Sequence, residues 1–212
     1  VIGVLFPIYS LAAPRMVRRF LEKVKLEADY TFAVGTYGNA AGPCMYNLQK
    51  NAEKRGYRFD YLNALLMVDN FLPVFEIDAQ ITKLPKKKTE EMTAKIVRDI
   101  HDRKRLQPKA GLGERLLASL LSAMGSTDRN AQKYIVNHQC TRCGVCAKVC
   151  PAKNIAVTDK VHFSDHCEAC LACVHLCPQN AIHLKNERSG KRWLNPDVSL
   201  AEIINANNHL ND

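Results

Sequence analysis

Eight of the nine cysteines stand in two runs: Cys140, Cys143, Cys146 and Cys150, then Cys167, Cys170, Cys173 and Cys177. Each run reads C-x2-C-x2-C-x3-C-P, closing on Pro151 and Pro178. Three thiolates at steps of three can wrap one corner of an iron–sulfur cube, while the fourth points away. The two runs are an internal repeat. Every cysteine recurs 27 positions later (140/167, 143/170, 146/173, 150/177), and Ile155 and Val157 recur as Ile182 and Leu184. The residues between the thiols are small or apolar, among them Gly144, Val145, Ala147, Ala169, Leu171 and Ala172. Small side chains let backbone N–H groups approach sulfur, and such hydrogen bonds tune a cluster. Zinc prefers two C-x2-C pairs separated by a longer loop, so it fits this pattern poorly. Structural disulfides would need an oxidising compartment, which nothing in the chain marks. Cys44 lies outside both runs and reads as a buried apolar residue at a helix start.

The doubled run resembles that of bacterial two-cluster ferredoxins. The resemblance implies that cluster I takes Cys140, Cys143, Cys146 and Cys177, and cluster II takes Cys167, Cys170, Cys173 and Cys150. Each half then lends its fourth thiolate to the other cluster, and both clusters lie between two copies of one small unit.

Something must position that unit. The 212 residues suggest one or two domains, and a 47% hydrophobic, 24% charged composition is that of a globular chain. A net charge of +9 favours an acidic partner or an anionic surface. The basic residues are not grouped with aromatics, and no nucleic-acid-binding module is apparent. Acidic redox proteins are the expected partner class. No apolar run reaches the length of a membrane span. Unpaired thiols point to a reducing cytoplasm.

From the first residue onward, the pattern is strand, loop, helix, repeated. Residues 1–6 form a continuous apolar run, which suits a strand buried on both faces. A helix follows Pro14, with Met16, Val17, Phe20, Leu21 and Val24 on its apolar side. Strands are expected at 30–36 and 62–68, and a helix at 43–55. This rhythm predicts an α/β fold with a parallel sheet, whose ligand edge would carry the loops 7–10, 36–43 and 69–73. Lys83 to Lys88 reads as a solvated linker and helix start. A helix at 89–106 would place Met92, Ile96, Val97 and Ile100 on one face. Residues 114–124 read as a short apolar helix and 125–130 as a turn. A short strand at 134–136 leads into the cysteines. The tail, with Trp193, carries a helix at about 198–205. His166 and His175 read as surface histidines. The expected division is 1–107 for the α/β part, 108–130 for a linker with the short helix, 131–186 for a small α+β cysteine domain and 187–212 for the tail.

An α/β segment followed by a two-cluster module resembles the flavodoxin–ferredoxin fusion proteins. The likeness rests on residues 1–10, 36–39, 140–155, 166–182 and 191–198. It implies a flavodoxin-like domain that begins here at the family's third strand, lacking the phosphate loop, and a natural chain with residues upstream of Val1. It also implies FMN as a cofactor beside the two [4Fe–4S] clusters. The ring would lie near Pro7, Ile8, Tyr9, Ser10, Thr36, Tyr37, Gly38, Asn39 and Gly42.

Three functions follow as expectations. The first is an electron-transfer protein that passes single electrons between two clusters and FMN. The second is a flavin-dependent reductase with its own small substrate. The third is an electron-relay subunit of a larger complex, docked through its basic stretches. No residue stands out as a nucleophile or a proton donor.

Overall fold

The computed structural model describes residues 1–108, 111, 113 and 134–208. The helix expected at 114–124 and the turn at 125–130 lie outside them. The described residues form two compact units. The first holds Val1–Asp69 and the chain from Ile81 onward; the second holds Asn70–Gln80 and the chain from 134 onward.

In the first unit, β1 (Ile2–Pro7), β2 (Thr31–Tyr37) and β3 (Tyr61–Leu66) form a parallel sheet in the order β1-β2-β3. Parallel neighbours need crossovers, and α1 (Arg15–Lys23) and α2 (Cys44–Lys54) supply them. Successive strand side chains point to opposite faces. Phe6, Ala33 and Leu62 therefore pack with Leu21, Met45 and Leu48, while Val34, Tyr61 and Leu65 pack with Ile96 of α5 (Thr89–His101) on the other core. Each fully buried Leu or Ile contributes about 1.5–3 kcal/mol. Two short helices, α3 (Ile77–Thr82) and α4 (Leu84–Lys87), precede α5.

Four expectations need correction. Strand β1 is buried on one face only: Phe6 is 3% exposed and Leu5 70% exposed. The second core draws its buried members from β2, β3, α5 and Tyr30 and leaves the far face of β1 uncovered. On α1 the packed side is narrower than the apolar stripe, because Leu21 is buried whereas Met16 and Phe20 stay exposed. Helix α5 stops at His101, and Arg103 is left-handed at φ 50°. Leu106 instead bridges Tyr61 in parallel, as a one-residue extension of the sheet. The inner side of α5 is Ile96, Ile100 and Asp99, not Met92 and Val97, which are exposed. Asp99 is 4% exposed and accepts from Lys95 Nζ and Lys104 Nζ, both at 2.6 Å, and from the Tyr61 hydroxyl at 3.3 Å. Hydrogen bonds from Lys104 and Lys95 hold its carboxyl down at about 2.

The second unit repeats itself. It comprises β4 (Tyr134–Val136), α6 (Val145–Lys148), β5 (Ile155–Val157), β6 (Val161–Phe163), α7 (Ala172–His175) and β7 (Ile182–Leu184). Shifting β4, α6 and β5 by 27 positions gives β6, α7 and β7. Strands β4 and β7 pair antiparallel, as do β5 and β6, so each half contributes one strand to each ribbon. The repeat extends to backbone conformation. Left-handed residues occur at Arg142 and Ala169, Gly144 and Leu171, and Lys153 and Asn180. A non-glycine residue there costs about 1–2 kcal/mol, so the surrounding structure must impose it. The tail ends in α8 (Leu200–Ala206), capped by a reciprocal Ser199–Glu202 pair.

Residues 70–80 are tied into this unit. Leu72 and Ile77 are fully buried. The Arg188 N–H donates to the Leu72 carbonyl at 2.9 Å, and Lys191 pairs with Asp78.

Candidate metal centres

The eight thiols of the repeat line two cavities. Cavity I is lined by Cys140, Cys143, Cys146 and Cys177; cavity II is lined by Cys150, Cys167, Cys170 and Cys173. Three thiols of each set come from one half of the repeat and the fourth from the other. Short helices explain this. Gly144 and Leu171 turn the chain left-handed before α6 and α7, which bends each C-x2-C-x2-C segment around its own cavity. The following turn carries Cys150 and Cys177 away toward the opposite one. All eight thiols are free of disulfides. Among the described residues no three His, Cys, Asp or Glu side chains cluster closely enough to hold one metal ion. Four thiols line each cavity instead.

Electrostatics point the same way. Burial, reinforced by neighbouring thiols, pushes Cys146 and Cys170 up to about 11 and Cys173 higher still. Buried thiols such as these three ionise only against concentrated positive charge. Backbone donors stand ready for the thiolates: Asn154 N–H to Cys150 Sγ, Ala181 N–H to Cys177 Sγ and Ala169 N–H to Cys167 Sγ, each at 3.3 Å. The Tyr134 hydroxyl lies 3.4 Å from Cys167 Sγ. Its ring stacks on Phe163 with centroids 4.8 Å apart. Burial and the nearby thiols raise the phenol well above its ordinary range, so it keeps its proton.

His175 corrects the surface reading. It is 7% exposed. Its Nε2 stands 2.8 Å from the Asn70 carbonyl, and its Nδ1 accepts from the Trp193 N–H at 3.1 Å. A carbonyl partner requires Nε2 to carry the proton, and burial lowers the pKa, so the ring is neutral. His166 is exposed, as expected. Cys44 is 2% exposed at the start of α2, and burial pushes its thiol up to about 12, which makes it inert.

The residues read as flavin contacts are partly committed elsewhere. Ile8 is buried in the first core, and its N–H donates to the Thr36 carbonyl at 2.7 Å. Tyr9 and Ala12 close a tight turn through left-handed Ser10 and Leu11. Leu11 also lies within 3.0 Å of where a Cβ on Gly42 would stand. Pro7 ends β1, Thr36 and Tyr37 end β2, and Asn39 is exposed. A Cβ on Gly38 would meet the Asp69 backbone at 2.3 Å. Lys87 Nζ, expected in solvent, donates to the carbonyls of Gly38 at 2.7 Å and Met67 at 2.5 Å. A lysine from this chain thus holds two carbonyls at the edge where a flavin ring was expected.

Residues 132–178 match the family model of a 4Fe-4S dicluster domain. Comparison with curated proteins and with solved structures gives no match. That stretch of the chain is therefore similar to iron–sulfur dicluster domains. All eight repeated cysteines lie inside it. Among the described residues no helix is long and apolar enough to cross a membrane.

Proposed function

We propose that the second unit binds one [4Fe–4S] cluster in cavity I, through Cys140, Cys143, Cys146 and Cys177, and one in cavity II, through Cys150, Cys167, Cys170 and Cys173, and that the protein is a single-electron carrier. The observation that supports this most strongly is the division of eight free thiols between two cavities, four to each, with three-plus-one exchange between the halves. Bound clusters supply reversible one-electron transfer. The chain does the rest. Its thiolates fix each cluster at four points. Val149, Val174, Ile155 and Ile182 are buried and limit the water around them, so little solvent must reorganise when charge changes. Backbone N–H groups at Cys150, Cys167 and Cys177 oppose the charge of the reduced state. A basic surface suits an acidic redox partner.

A second reading keeps FMN on the first unit. The parallel order β1-β2-β3, with loops 7–10 and 36–42 at the carboxyl ends of β1 and β2, supports it. The Lys87 contacts oppose it, and no electron step is drawn through a flavin here. Anaerobic purification with iron, sulfide and flavin counts tests both readings. About eight iron and eight sulfide per chain support the carrier. Zinc in place of iron overturns it. Flavin that fails to bind at micromolar concentration removes the second reading alone.

A further inference from the structure

One backbone donor is placed alike in the two halves of the repeat, but the side chains there differ. Asn154 and Ala181 are equivalent in the repeat, and each donates its N–H to the displaced cysteine of its half at 3.3 Å. There the likeness ends. Asn154 brings a carboxamide and Ala181 brings a methyl. Asn154 is 1% exposed and lies in the wall of cavity II. Its Oδ1 accepts from the His166 N–H at 3.0 Å, which fixes the orientation of the amide and makes the other end an NH2 group. That Nδ2 is buried and has no hydrogen-bond partner among the described residues. Two other buried nitrogens share that state, Arg18 Nε and Arg192 Nε; Asn154 alone of the three lines cavity II. Burying an NH2 group without an acceptor is costly, so an acceptor belongs beside it. Cluster sulfur in cavity II would supply one.

We propose that the Asn154 side-chain amide donates a hydrogen bond to a sulfide of the cavity II cluster and selectively raises that cluster's reduction potential. This rests on the iron–sulfur reading above. A hydrogen bond to sulfur stabilises the more negative, reduced state and so raises the potential. Charges at the rims act in the opposite sense, since Arg142 borders cavity I and Glu168 borders cavity II. Arg142 is exposed, so its field is screened by solvent. The inference therefore concerns the amide's own contribution and not the final order of the two potentials.

The test is an anaerobic redox titration of the full chain and of Asn154→Leu, followed by electron paramagnetic resonance. Leu shares the branched four-atom outline of the Asn side chain but is bulkier and cannot donate. With both clusters present by iron count, the cavity II potential should fall and the cavity I potential should stay put. Unchanged potentials, or an equal fall in both, overturn the inference and leave the iron–sulfur reading standing. An iron-free wild-type protein would defeat that reading instead. Where Asn154→Leu loses a cluster, wild-type protein decides. Asparagine labelled with 15N only at the side-chain amide should give a nitrogen coupling to the reduced cavity II cluster in pulsed measurements. Absence of that coupling overturns the inference.

Discussion

Cavities I and II share a backbone and differ in the side chains that reach them. Helix α6 repeats as α7 and β4 as β6, and left-handed residues recur at matched places. Yet Tyr134 stands where the other half has Val161, and Asn154 where it has Ala181. Cavity I includes exposed Cys143, whereas the equivalent Cys170 of cavity II is only partly exposed. Repetition places thiols, and the departures from repetition make two otherwise equal sites chemically distinct.

The largest way to break the comparison is to remove a ligand. Cys146→Ala should cut iron from about eight to about four per chain and leave the cavity II signal. Cys173→Ala should do the reverse. Loss of both clusters in either variant would show that the cavities do not fill independently.

Gly144 and Leu171 sharpen it next. Both are left-handed, and a Cβ on Gly144 would meet nothing within 4 Å. Gly144→Ala should thus cost only backbone strain, about 1–2 kcal/mol, read as a lower thermal midpoint with cluster content intact. A larger loss would mean that cavity I needs glycine for close approach.

Acid compares the two units. Asp99 is held at about 2 against an ordinary 3.8, chiefly by Lys104 and then Lys95. A depressed carboxyl stabilises the fold above its unfolded value and loses that contribution as protons bind. The first unit should therefore weaken between about pH 4 and pH 2, followed by circular dichroism. Asp99→Asn should show a flatter dependence across that window.

The smallest effect belongs to Tyr134→Phe. It removes the hydroxyl at Cys167 but keeps the stack on Phe163. The cavity II potential should fall by less than in Asn154→Leu, because Cys167 Sγ keeps its backbone donor at Ala169.

The thiols were legible because their spacing is local, and spacing of that kind survives in a single sequence. Strand and helix positions in the first unit were legible for the same reason, to within one or two residues at β2 and α2. The misses depend on distant partners. His175 lies between two cysteines and reads as surface, yet Asn70, 105 residues away, buries it. Nothing local shows that residues 70–80 leave the sheet unit. Asp99 and Lys87 sit in charged runs, and their distant partners (Tyr61 for Asp99, Gly38 and Met67 for Lys87) show that Asp99 is buried and Lys87 partly so. Phe20 and Leu5 err the other way, since an apolar pattern shows which face can be buried and not whether a neighbour covers it. Asn154 did leave a trace: it is a polar residue where its repeat has alanine.

Mössbauer spectroscopy of 57Fe-loaded protein, prepared without oxygen, tests the central claim most directly. The account predicts that essentially all iron is in [4Fe–4S] form, at about eight atoms per chain, and that it separates into two components of equal area. Isolated tetrahedral iron, or a single component at about four atoms per chain, would contradict it.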